Sequence, residues 1–162
     1  MLPVVIIYTY QMKGVKNMKV YLASPFFNED ELIIYREVIS KLRLEGHEVF
    51  VPQEHDIPNG WSLPNRKWGE AVFLTDICGI KNCECVVVLN WGMYSDSGTA
   101  WECGYAYALG KKILNVVCGN SNEYSLMMLN GSHNYVHIDT FHTHPVEELF
   151  NYFFTDYSVE QK

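Results

Sequence analysis

The chain lacks the apolar run that a membrane span requires, since nothing in its 162 residues approaches ~20 consecutive hydrophobic positions. It also lacks a Cys-x-x-Cys pair. Its five cysteines, Cys78, Cys83, Cys85, Cys103 and Cys118, form an odd set whose tightest spacing is Cys83-x-Cys85. That pattern reads as reduced thiols packed as small hydrophobes in a cytoplasmic protein. A basic stripe is missing as well. Twelve lysines and arginines lie scattered against nineteen acids, for a net charge of -7. A protein that tracks phosphates needs clustered cations, so no nucleic-acid polymer is expected as a partner, and no membrane. Neither a Gly-x-Gly-x-x-Gly turn nor a P-loop lysine occurs. His142-x-His144 and the pair His133/His137 find no third ligand at metal spacing, so no metal is expected.

What remains is an ordinary globular composition, 48% hydrophobic and 19% charged, in a length that suits one domain with a full core. Residues 1–17 read as an N-terminal extension ahead of a domain at 18–162. Val4–Tyr8 is too short for a signal-peptide core, and Met18 stands directly before the first clear strand. The alternative is that this tail packs as an extra strand.

From Met18 onward, short apolar runs alternate with helical periods, the pattern of a parallel sheet with crossover helices. Strands are expected at Lys19–Ser24, Glu48–Val51, Cys85–Asn90, Lys112–Cys118 and Tyr135–Ile138. Asn28 or Asp30 should cap a first helix that ends at Gly46. A turn-rich stretch runs from Pro52 to Pro64, followed by a helix through Trp68, Val72, Phe73, Ile77 and Ile80. Further helices are expected at Ser97–Leu109 and Val146–Phe154. Cys85–Asn90, the most uniformly apolar run, belongs at the sheet centre. The architecture is α/β: a flavodoxin-like, doubly wound sheet of about five mainly parallel strands flanked by helices. Such sheets bind ligands beyond the carboxyl ends of their strands, which directs attention to the segments after Tyr21, Asn90 and Cys118.

The segment Ser95-Asp96-Ser97-Gly98-Thr99-Ala100-Trp101-Glu102-Cys103-Gly104-Tyr105-Ala106 is a strand-to-helix turn. Gly98 lets the backbone approach a ligand at the helix start. Glu102 lies about one turn in, with Ala100, Cys103, Gly104 and Tyr107 expected as the packed face. The helix N-terminus should favour its ionised form, as a nucleophile at an anomeric carbon requires. Asp96 suits a helix cap equally well. Tyr21, at the end of the first strand, can orient a carboxylate by hydrogen bonding. Asp76 sits in the apolar stretch Phe73-Leu74-Thr75-Asp76-Ile77, where burial would raise it into a proton-donor range.

Taken together, Val20-Tyr21-Leu22-Ala23-Ser24-Pro25, Trp68 eight residues before Asp76, and Asp96-x-Gly98-x-x-x-Glu102-x-Gly104-x-Ala106 resemble the nucleoside 2-deoxyribosyltransferases, from Met18 to about Tyr152. The resemblance implies Glu102 as nucleophile at C1', Tyr21 as its orienting partner, Asp76 as acid toward the departing base, and Asp96 near the 5' end of the sugar. It implies small-molecule 2'-deoxynucleosides and free nucleobases as substrates, no cofactor, and a homo-oligomer with sites shared between subunits. Gln53 and His55 are expected to shape the base pocket. The family's Asn-Leu-Met segment, which a neighbouring subunit supplies, is matched by Ser125-Leu126-Met127. Serine there is similar to the related 2'-deoxynucleoside 5'-phosphate N-hydrolases, so hydrolysis is the alternative, with a non-catalytic nucleotide-binding module behind it.

Overall fold

The computed structural model describes residues 16–119 and 123–151. Most of the 1–17 tail, and the expected end of the last helix after residue 151, lie outside the described residues. At the near end of the tail, Lys16 pairs with Glu84 at 2.9 Å.

Five strands, β1 (Lys19–Ala23), β2 (Glu48–Phe50), β3 (Cys85–Asn90), β4 (Lys112–Val117) and β5 (Asn134–His137), build one sheet in the order β2-β1-β3-β4-β5. Every pairing is parallel. The uniformly apolar β3 occupies the centre and all six of its residues are buried, as a strand covered on both faces must be.

Side chains alternate between faces, which divides the core in two. Val20, Leu22, Val87, Leu89, Leu114 and Val116 face one side and pack with Tyr35, Val38, Leu42, Phe141 and Leu149. Tyr21, Ala23, Val86, Val88 and Ile113 face the other and meet Ile80, Cys103, Ala106 and Met128.

The helices are α1 (Glu29–Leu44), α2 (Asn65–Asn82), α3 (Ser97–Ala108), α4 (Leu126–Asn130), α5 (Ile138–Thr143) and α6 (Val146–Asn151). Helix α1 starts at Asn28, whose side chain accepts from the Glu31 amide while the Glu31 carboxylate accepts from the Asn28 amide. This reciprocal pair satisfies two amides that the first turn leaves free. The helix stops where Gly46 takes φ +88° and the His47 amide bonds back to Leu42, a left-handed turn that glycine makes without a steric penalty.

The expected five-stranded, mainly parallel sheet is found, and among the described residues every pairing in it is parallel. Two other points differ from expectation. Helices α4 and α5 went unassigned from sequence, because five and six residues are too few to display a period. Finally, α3 packs through Thr99, Cys103 and Ala106, whereas Tyr107 is 62% exposed and Gly104 is also exposed. The small residues misled, because Gly104 borders an open groove and not the sheet.

The chain runs from β1 outward to β2 and then returns to β3 on β1's other side. The switch in strand order therefore falls between the carboxyl ends of β1 and β3, which is where open α/β sheets hold ligands. No helix among the described residues is long and apolar enough to cross a membrane.

Candidate active site

Tyr21 points from β1 into the α2–α3 side of the sheet and is completely buried. Its phenol donates to Glu102 Oε1 at 2.7 Å. Glu102 reaches this point because α3 begins just after β3 and is fixed at its first turn. There, Asp96 Oδ2 accepts from the Thr99 amide at 2.8 Å and from Thr99 Oγ1 at 3.0 Å. Gly98 makes room for that cap, since a Cβ there would lie 3.0 Å from Asp96 Oδ2.

Glu102 opens into a cavity of about 380 Å³ together with Asp76 and Asp96. Gln53, Gly98 and Trp68 line the same cavity. Trp68 is held against the turn at residues 60–62, where a Cβ on Gly60 would come within 3.0 Å of its ring. His55 lines the cavity too, so of the nine site residues expected from sequence eight are gathered at one place: Tyr21 beneath it and seven on its wall. Ser125 is not among them. It caps α4 and borders a separate groove with Gly104, Tyr107 and Met127.

Burial governs the electrostatics. It pushes Glu102 up to about 7, opposed by the Tyr21 hydrogen bond and reinforced by Asp76 and Asp96. Burial thus works against the ionised form expected from the helix N-terminus, and Glu102 lies beyond the first turn of α3, where that favourable charge has largely fallen off. Burial also raises Asp76 to about 6, with His55 pulling it down. Tyr21 is held far above its ordinary value, first by burial and then by the adjacent Glu102, so the phenol is a neutral donor. The arrangement supplies a carboxylate with one oxygen engaged and a neighbouring carboxyl able to carry a proton near neutrality.

Sequence reasoning missed several wall residues: Phe26, Phe27, Asp56, Thr75 and Thr99. The pair Phe26-Phe27 directly follows β1 on the ligand-binding edge, a usable signal. Asp56 lies in the turn-rich stretch, where no period marks which side chains face inward. Phe50 was also missed; it stacks on Tyr21 with centroids 5.3 Å apart.

The nucleoside 2-deoxyribosyltransferase family model matches residues 20–159. Among solved structures, the chain is similar to the 2-deoxyribosyltransferase of the psychrotolerant bacterium Bacillus psychrosaccharolyticus. That match has a TM-score of 0.66 and 33% identity over 83% of this chain and 92% of that one. Two others are similar in fold: the CMP N-glycosidase BcmB of Clostridium botulinum and a conserved protein of Enterococcus faecalis V583. The first has a TM-score of 0.52 at 21% identity, covering 76% and 97% of the two chains. The second has 0.55 at 23% identity, covering 74% and 82%. No curated protein matches significantly.

Proposed function

The chain belongs to the nucleoside 2-deoxyribosyltransferase family, and we propose that it transfers the 2-deoxyribosyl group between nucleobases through a covalent ester on Glu102. The observation that carries this reading is the 2.7 Å bond from the Tyr21 phenol to Glu102 Oε1 at the wall of a cavity shared with Asp76. Tyr21 engages one oxygen and leaves the other to attack C1'. As the Oε2–C1' bond forms, the C1'–N bond breaks, its electron pair stays on the base nitrogen, and Asp76 gives that base its proton. An incoming base then attacks C1' from the face the first one left; the Oε2–C1' bond breaks, its electron pair returns to the Glu102 carboxylate, and the base gives its proton to Asp76. Two inversions give retention, the logic of retaining glycosidases. Trp68 and Gln53 flank the base, Asp96 accepts from the 5'-hydroxyl, and Gly98 lets the backbone come close to the sugar.

Cleavage by water, the N-hydrolase reading, is favoured by one observation, the serine at position 125. Charge weighs against its 5'-phosphate form. Asp56, Asp76, Asp96 and Glu102 line the cavity, and no lysine or arginine among the described residues does. A phosphate dianion would meet like charge in a poorly solvated site, which exceeds the ~1 kcal/mol of one neutral hydrogen bond. Ser125 lies away from this cavity within one chain, so its proposed role requires a neighbouring subunit to present it. Residues 1–17 are assigned no part in the reaction.

The test is one incubation of deoxyinosine with free adenine or cytosine, repeated with deoxyinosine 5'-monophosphate and resolved by chromatography. The expected outcome is a new deoxynucleoside, with the unphosphorylated donor favoured at least ~10-fold in kcat/KM. Free deoxyribose with no exchanged nucleoside would establish hydrolysis instead.

A further inference from the structure

Phe50 closes β2, and its ring is fixed from several sides. A Cβ on Gly79 of α2 would lie 2.7–2.8 Å from that ring, so α2 admits Phe50 only because residue 79 has no side chain. Phe50 stacks on Tyr21 with an interplanar angle of 15°. It also stacks on His55, at 3.9 Å between centroids and 9° between planes. The three rings make a row that starts in the cavity wall, where His55 stands, and ends at the phenol that bonds Glu102.

His55 is exposed yet anchored. It follows the 3-10 turn Pro52–Glu54, and its amide bonds to the Pro52 carbonyl at 3.1 Å. Arg43 of α1 ties that turn down through two bonds to the Glu54 carboxylate, at 3.0 and 2.5 Å. Such forked pairing fixes geometry as well as charge.

The cavity also has an unusual imbalance of charge. Asp76 meets Glu102 from α3, Tyr21 from β1 and His55 from the turn after β2, and shares the cavity with Asp56 and Asp96. Among the described residues that line the cavity, His55 is the only group that can carry positive charge.

We propose that His55 is a positioning residue for glycosidic cleavage: its ring seats Phe50, and through it the Tyr21 phenol, while its imidazole acts on Asp76. This rests on the reading of Glu102 as nucleophile and Asp76 as acid. A ring packed on Phe50 restricts Phe50 to the plane that Tyr21 stacks on, which limits the swing of the phenol away from Glu102. An imidazole near Asp76 counters the burial that raises that carboxyl.

The experiment uses two variants of the full chain. His55→Ala removes ring and imidazole together; His55→Phe keeps a ring on Phe50 and removes only the imidazole. Each is measured for kcat and KM in base exchange, and for the Asp76 titration by carboxyl-carbon NMR of the free protein. The exposed position of His55 should leave the melting temperature of both close to wild type. His55→Ala should lower kcat about ten-fold, with His55→Phe recovering most of the loss. Both should raise the Asp76 midpoint above the wild-type value. A His55→Phe variant as slow as His55→Ala overturns the stacking role, and an unmoved Asp76 midpoint overturns the electrostatic one. A rise in KM alone, with the Asp76 midpoint unmoved, makes His55 a wall of the pocket and overturns both. A wild type that leaves the glycosidic bond intact would defeat the proposed reaction instead, and the titration, which needs no substrate, separates the two failures.

Discussion

A carboxylate that is to attack carbon must be ionised, yet burial holds Glu102 at about 7 while Asp76, which in the proposed reaction keeps its proton, lies at about 6. Because the two interact, their protons leave in two shared steps. The competent form, with Glu102 ionised and Asp76 protonated, is then a minor form of the free protein. Lowering the pH protonates both carboxyls and removes the nucleophile. Raising it ionises both and removes the acid. The kcat/KM profile should therefore be a narrow bell, with its acid limb near 6 and its basic limb near 7. A rate that stays flat from about pH 5 to about pH 8 would contradict the pairing. At this scale much of the site is legible in the sequence. Tyr21 sits in a clear strand, at its middle and not at its end as expected, Asp76 interrupts an apolar helix, and Glu102 follows a strand-to-helix turn. The ionisation of Glu102 is not legible, because it depends on how much water the folded chain removes. Phe50, and the contact that joins it to His55, escape for a different reason: stacking across a turn has no sequence period.

At the scale of the element, the site depends on where α2 and α3 meet the sheet. The Asp96 cap sets the start of α3 and hence the angular position of Glu102. On α2, Asp76 and Gly79 lie one turn apart, so the helix that carries the proposed acid also makes space for Phe50. Gly79→Ala tests that coupling. Alanine favours the helix by ~1 kcal/mol over glycine, and a Cβ pressed into the Phe50 ring costs ~1–3 kcal/mol of overpacking. Stability should fall by ~0–2 kcal/mol, whereas kcat should fall several-fold as Phe50 is displaced from Tyr21. Thermal melting and steady-state rates read the two effects apart. A variant with wild-type kcat would show that the phenol does not depend on the ring beside it. The longer elements are legible through their periods and caps, with ends shifted by a residue or so. Strand β2 ends at Phe50 and not Val51, and α3 ends at Ala108. Helices α4 and α5 are shorter than two turns, so the chain's apolar spacing says nothing about them.

For the molecule as a whole, the outer surface of α3 and α4 is unusually apolar. Trp101 is 48% exposed, Tyr107 62%, Leu126 62% and Met127 85%, and the groove that Ser125 borders runs through this patch. Exposed apolar patches often mediate association, and the proposed sharing of Ser125 with a neighbouring subunit would use this one. Light scattering should give a multiple of the 18.8 kDa chain mass. The double variant Tyr107→Glu, Met127→Glu should give monomers with a raised KM for the deoxynucleoside, and monomers that retain the wild-type KM would remove the shared site. The central claim, a deoxyribosyl ester on Glu102, is tested most directly by mass. The intact chain is incubated with a deoxynucleoside and no acceptor base, quenched in acid, weighed and mapped by peptide. The account predicts the added mass of one deoxyribosyl group on the peptide containing Glu102, and none in Glu102→Ala. Base exchange without any adduct, or an adduct on a different residue, would contradict it.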